Sequence, residues 1–460
     1  MSRRLRADRV VVVAILTLVG IAQWLLLARM FSTNPFFDEG TYLLSLADLR
    51  HGFALGKDVF ASQPPLFYDL LRALAVVFEP TLRGMREATA ATTLIVIPSS
   101  FVLGRALAGT RAGLVAAAML TIAPPFPLYG SRVFADTPSL ALCALAVALA
   151  AVGAAEGAAV VLAAAVLVKL SAVTAVPVVV VLLMLTRVYS TRLVRAAGAA
   201  ALLVALVALV HLSGLSEIWH DAVAYHTHAT SSTVSLSNGH EVRAFFNVRT
   251  PFFWLLLAAA GCTIGASWRV RSLWLWPAAA VLLVATHRPL HENHLLTLPF
   301  AFAPAVGVGL GAGVARLRRF EVSALALIAF LVFAGIVQQA RNLDSERTPV
   351  DPRLVAAAHK VEQLTRPGDF VVSDQPYVPV LARRLVPPDL VDTANLRFET
   401  GFLNAGRIEA AARRYHVRVV VAGRAFRGRP TLEAWLARAS ISRVDVGDIR
   451  IYRLRPLTAP

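Results

Sequence analysis

Just beyond an apolar stretch from Val10 to about Met30, the chain reads Asn34-Pro35-Phe36-Phe37-Asp38-Glu39-Gly40-Thr41-Tyr42. Two adjacent carboxylates at the edge of hydrocarbon are costly unless solvated or paired, so they mark a functional site by default. The alternative is structural, since acids also favour the first turn of a helix. A second acid, Asp136, follows Arg132 by four residues, and Lys169 stands alone between two short apolar runs. Such a lysine either binds something or snorkels to the interface. Eight of the eleven histidines fall between His211 and His294. His226-Thr227-His228 and the His291/His294 pair have spacings a metal could use, but neither cysteine joins them and no four-ligand set is evident. Hydrogen-bonding histidines in a polar cavity fit the pattern better than a metal centre, and no cofactor is required.

The elements that hold these residues must be built in a bilayer. Of 460 residues, 57% are apolar and 16% charged, and the mean hydropathy is +0.64. A soluble surface cannot be made from that composition, nor does it suit disorder, a collagen-like repeat or a disulfide scaffold. The formal charge of +17 would ordinarily suggest nucleic acid. Here it has another explanation. Apolar stretches run over 10–30, 87–104, 112–129, 137–153, 157–168, 171–186, 196–212, 251–267, 272–286, 295–314 and 320–338. Eleven spans put Arg105 and Arg111, then Arg187, Arg192 and Arg195, then Arg269 and Arg271, then Arg316, Arg318 and Arg319 on the side of the N-terminal arginines, which is the positive-inside pattern at every turn. Counting the apolar piece Pro64–Phe78 as a twelfth span breaks that pattern, so it is expected to lie at the interface as a juxtamembrane helix. The outer side then receives loops 31–86 and 213–250 and the tail. Asp38 and Asp136 fall on one face.

Four motifs in order resemble a known family: Asp38-Glu39; Gln63-Pro64-Pro65-Leu66-Phe67-Tyr68; Ser131-Arg132-Val133-Phe134-Ala135-Asp136-Thr137-Pro138; and Val168-Lys169-Leu170-Ser171 followed by Pro177. Together they look like the polyprenyl-phosphate-sugar-dependent glycosyltransferases of the GT-C fold, in the superfamily of protein O-mannosyltransferases and aminoarabinose transferases (glycosyltransferase family 39-like). The resemblance covers roughly the first 190 residues. It implies that Asp38 is the general base toward an acceptor hydroxyl, with Asp136 as second acid and Glu39 orienting Asp38, binding acceptor or capping a helix. Lys169, Arg132, Arg288, His291 and His294 become candidates for the donor phosphate. Tyr42, Gln63, Tyr68 and His226 become candidates for the substrate cavity. Where related aminoarabinose transferases carry a Glu-Lys pair, this chain has Ser62-Gln63, so one phosphate contact has moved.

The expectation is a polytopic α-helical membrane protein of about eleven transmembrane helices, with a GT-C-like catalytic domain (1–340) and a small extracytoplasmic α/β domain (341–460). The latter is read as a helix over 352–364, strands at 370–372 and 418–421, helices at 377–385, 408–416 and 431–439, and a hairpin pairing 441–446 with 449–454 around Gly447-Asp448. The location is a bacterial plasma membrane, with a cytoplasmic N-terminus and an outer C-terminal domain. The partners are a polyprenyl-phosphate-linked sugar, the bilayer and a hydroxyl acceptor, and not nucleic acid. Loop 213–250, with Trp219, Tyr225 and a Ser/Thr run from Thr230 to Ser237, resembles a flap over substrate. The competing function is a transporter or flippase of lipid-linked glycans, which would show charges at mid-membrane and an inverted repeat. The sequence shows neither.

Overall fold

The computed structural model describes residues 3–228, 235–317 and 319–456. Residues 230–234 of the Ser/Thr run, and Arg318, lie outside the described residues. The chain forms two compact units: 1–31, 86–207 and 235–347 in the first, and 32–85, 208–234 and 348–460 in the second. Residues 32–85 and the C-terminal segment therefore belong to one unit.

The first unit is helical. Each of the eleven apolar stretches falls on helix. Among the described residues, five helical segments are long and apolar enough to cross a bilayer: Arg9–Ala28, Leu82–Ala108, Ser190–Val210, Glu292–Val314 and Glu321–Glu346. Others, such as Asp136–Ala151 and Ala155–Val168, are shorter. Several helices turn apolar side chains outward, among them Val10, Leu18 and Leu25, Leu202 and Leu209, and Phe330 and Phe333. Faces of this size with no protein partner are what lipid contact requires. The centre is Thr297–Val314, buried along almost its whole length. Small residues bring it there: a β-carbon on Gly307 would fall on the backbone of Ala116. Where lipid supplies no hydrophobic drive between helices, close backbone packing is the source of cohesion.

The second unit contains a four-stranded sheet in the order β1-β2-β4-β3, with β1 Val371–Ser373, β2 Val419–Ala422, β3 Ser440–Val446 and β4 Ile449–Leu454. The first two strands are parallel and the rest antiparallel. The two inner strands are valine- and isoleucine-rich, and Val371, Val419, Val421 and Ile451 bury against Ala357 and Val361 of the helix Pro352–Leu364. That helix starts where Asp351 accepts from the Arg353 N–H, with proline in its first turn. The expected helix 377–385 stops at Leu381. Arg383 adopts a positive φ of 51°, and Leu385 pairs with Phe370 beside the sheet, so backbone pairing takes over from the helix. The apolar piece 64–78 forms the helix Pro65–Val77, with Phe67, Tyr68 and Leu71 buried and Val76 and Val77 exposed. The expected flap contains short helices, Leu215–Trp219, a π-turn at His220–Ala224, Tyr225–His228 and Asn238–Phe245.

Candidate active site

In the second unit, Asp38 and Glu39 occupy the first turn of helix Phe37–Arg50. Glu39 is fully buried, and its Oε2 accepts the Phe36 N–H at 3.0 Å, so it caps the helix. Asp38 is half-buried. At Gly40 the helix lies against the backbone of Pro376 and Tyr377; a β-carbon there would come within 2.9 Å of the Tyr377 nitrogen. The acid-bearing turn is thus seated on the C-terminal segment. Tyr42 is buried edge-on against Phe67, with ring centroids 4.8 Å apart. The Tyr68 hydroxyl lies 3.5 Å from Ser62 Oγ, Gln63 is buried, and His226 Nε2 is 2.9 Å from the Ser62 carbonyl. Tyr42, Gln63, Tyr68 and His226 are therefore packed into one unit with Asp38.

Sequence reading missed a fully buried charge in this unit. Arg397 is 1% exposed. Its Nη1 donates to the carbonyls of Asp389 and Asp392, and its guanidinium stacks 3.8 Å from the centroid of Phe60. Phe60 in turn meets Tyr225 at 5.6 Å. Asp221 accepts the Ala61 N–H at 3.2 Å, and burial raises its pKa against that bond, His220 and Arg397. Burial also raises the Tyr225 phenol, as do the charges of Asp392 and, more weakly, Asp38, while Arg397 opposes them. Arg397 thus stacks on Phe60 and lies within electrostatic reach of Tyr225, Asp221 and Asp392. Arg397→Met is expected to lower stability by about 3 kcal/mol, because it strands two buried carbonyls and removes the cation facing Asp392. Thermal melting in detergent reads this loss.

Asp48, on the same helix as Asp38, is fully buried, and neither carboxylate oxygen has a hydrogen-bond partner among the described residues. Burial pushes its pKa up to about 8. Between the carboxyl's ordinary value and 8, the folded chain holds a proton that the unfolded chain has lost. Stability from this group is therefore full below about pH 4 and falls as pH rises toward 8. Asp48→Asn is expected to flatten that fall, raising stability at pH 8 by several kcal/mol at about 1.4 per pH unit, with the gain vanishing near pH 4. Melting temperature against pH for both proteins checks it.

In the first unit, Asp136 opens helix Asp136–Ala151 and is fully buried. Its Oδ2 lies 3.5 Å from Lys169 Nζ and accepts from Asn293 Nδ2 at 3.0 Å. Its Oδ1 has no hydrogen-bond partner among the described residues. Lys169 is 8% exposed and sits in extended backbone between helix Ala155–Val168 and a 3-10 turn. The helix ends there, which turns the lysine inward. His294 Nδ1 accepts the His291 N–H at 3.1 Å, and the His287 and His294 rings meet edge-to-face at 4.3 Å. Burial, then the Lys169 ammonium, holds His287 below the ordinary imidazole range, opposed by Asp136. Burial chiefly lowers His291 as well, opposed by Glu292. Both shifts favour the neutral imidazole beside Lys169. Arg132 is buried, and Arg288 is exposed in the turn. The fold thus gathers Asp136, Lys169, Asn293, His287 and His291; Asn293 and His287 carry no sequence signal of their own beyond the polar run around them. Among the described residues, no group of three or more His, Cys, Asp or Glu is placed to hold a metal.

A bundle of apolar helices with a small C-terminal sheet gives this chain the GT-C fold. Two sets of solved structures share it. ArnT from Cupriavidus metallidurans bound to undecaprenyl phosphate matches with a TM-score of 0.72 at 15% identity, over 97% of this chain and 99% of that one. The Archaeoglobus fulgidus oligosaccharyltransferase in the apo form gives 0.56 at 12% identity, over 90% of this chain and 69% of that one. The AglB protein of the same organism, in complex with an inhibitory peptide and a dolichol-phosphate, gives 0.56 at 13%, over 90% and 70%. No family model matches the sequence, and no curated protein matches it.

Proposed function

We propose that this chain is a membrane glycosyltransferase that moves a sugar from a polyprenyl-phosphate donor to a hydroxyl acceptor on the outer face of a bacterial plasma membrane, with inversion at the anomeric carbon. The observation that carries the reading is the buried Asp136–Lys169 pair, standing in a chain of which 97% follows the fold of ArnT. In this account Asp38 takes the acceptor proton, the acceptor oxygen bonds to the anomeric carbon, and the bond from that carbon to the phosphate oxygen breaks. The electron pair leaves with the polyprenyl phosphate. Lys169, with Arg132 and with Arg288, His291 and His294, receives the negative charge that grows on the departing phosphate. Asp136 holds the lysine in place. Tyr42, Gln63, Tyr68 and His226 shape the substrate cavity, and Glu39 fixes the turn bearing Asp38. The chemistry needs no metal or other cofactor.

The accompanying topology has eleven spans, a cytoplasmic N-terminus and a C-terminal domain outside. In a chain lacking Cys143 and Cys262, an impermeant thiol reagent is expected to label Gln363→Cys from outside the cell and to leave Ser190→Cys untouched. Labelling of both or of Ser190→Cys alone contradicts the topology. Inversion is read from the anomeric configuration of the product by NMR; retention refutes the single displacement.

A further inference from the structure

At the far end of helix Asp136–Ala151 from Asp136, the first unit holds a second cation cluster. That helix has 16 residues, so its ends lie about 24 Å apart. A cavity of ≈ 680 Å³ opens there between the end of this helix, the end of Val176–Leu185 and the start of Ser190–Val210, lined by Arg187, Arg192, Arg269 and Tyr189 and by no carboxylate. Arg192 is paired with Glu156 at 3.0 Å. Arg269 Nη2 donates to the Ala151 carbonyl at 2.6 Å, and its buried Nε has no hydrogen-bond partner among the described residues. Arg187 has a positive φ of 52° just past the end of Val176–Leu185, the position where a helix favours glycine. An arginine there holds a cation at the cavity in a conformation that glycine would adopt without strain.

A second observation points to what fills the cavity. Val173, Val176, Val180 and Met184 are all exposed, at helical spacing along one face that runs down to the cavity. A cluster of arginines beside an exposed apolar track matches the headgroup and tail of an anionic lipid. We propose that this cavity binds the headgroup phosphate of an anionic phospholipid in the leaflet opposite Asp136, with Arg187, Arg192 and Arg269 as its cations and the Val173–Met184 face against an acyl chain. Basic pockets between transmembrane helices take such headgroups by charge complementarity. The site lies apart from the proposed transfer chemistry.

The test is native mass spectrometry of the purified full chain equilibrated with equal amounts of phosphatidylglycerol and phosphatidylcholine. Phosphatidylglycerol is expected to be retained in preference, and excess inorganic phosphate is expected not to displace it. Arg187→Gly is expected to bind it about fivefold more weakly while melting at or above the wild-type temperature, which separates lost binding from lost folding. Arg269→Gln should weaken it likewise. Equal retention of the two lipids, displacement by inorganic phosphate, or unchanged retention by Arg187→Gly and Arg269→Gln overturns the proposal.

Discussion

Asp38→Asn is expected to slow sugar transfer about a hundred- to ten-thousand-fold, the range that a positioned general base contributes, and to leave the fold intact. Asparagine keeps the size of the side chain and can still meet the helix start, but it cannot take the proton of a hydroxyl. The cap that starts the helix comes from Glu39 and the Phe36 N–H, and Gly40 still seats the turn on Pro376 and Tyr377. Loss of one acid from a helix first turn costs about 0.3–1 kcal/mol. The two meanings of an acid at this position therefore give opposite results. If Asp38 only serves the helix dipole, Asp38→Asn lowers the melting temperature slightly and keeps its activity. If it is the base, activity collapses while the melting temperature barely moves.

Lys169→Met is expected to lower kcat/KM about a hundred- to a thousand-fold, the scale of one charged contact to a group that gains charge in the transition state. It also leaves Asp136 buried without its ammonium partner, so part of the effect is on folding. Asp136→Asn separates the two contributions. It relieves the buried charge, retains the neighbour Asn293, and loosens the lysine without removing it. The double variant Lys169→Met/Asp136→Asn should regain melting temperature relative to Lys169→Met while transfer stays low. Recovery of transfer together with stability shows that the pair is only structural. Lys169→Arg, which keeps a cation with a different reach, should fall between wild type and methionine.

How far the sequence carried this picture varies by element. Hydrophobic runs and arginine-bearing turns place helix on each expected stretch, because chain in hydrocarbon has few alternatives to helix. The sheet was legible too, since short valine and isoleucine runs bounded by Pro-Gly and Gly-Asp turns leave little choice. The pairing of Lys169 with Asp136 was half legible: motif order singled out both residues, but the sequence did not say that an ammonium would lie 3.5 Å from that carboxylate. Arg397 and Asp48 were invisible. They sit in stretches whose patterns suit surface charge, and only tertiary packing encloses them, Arg397 under Phe60 and Asp48 with no partner at all among the described residues. The overlong expectation at 377–385 has a local cause in Arg383 and Leu385, where a left-handed residue and a bridge to Phe370 end the helix. The grouping of residues 32–85 with the C-terminal segment is a long-range contact that no local pattern encodes.

One measurement bears most directly on the central claim. The purified full chain in lipid is given labelled polyprenyl-phosphate sugars and cell-envelope acceptors, and release of polyprenyl phosphate is followed alongside sugar appearing on acceptor, for wild type and Asp38→Asn. Wild type is predicted to release polyprenyl phosphate only as acceptor is glycosylated, with Asp38→Asn nearly inactive. Undiminished release by Asp38→Asn, or movement of intact donor across the membrane with no cleavage, contradicts it.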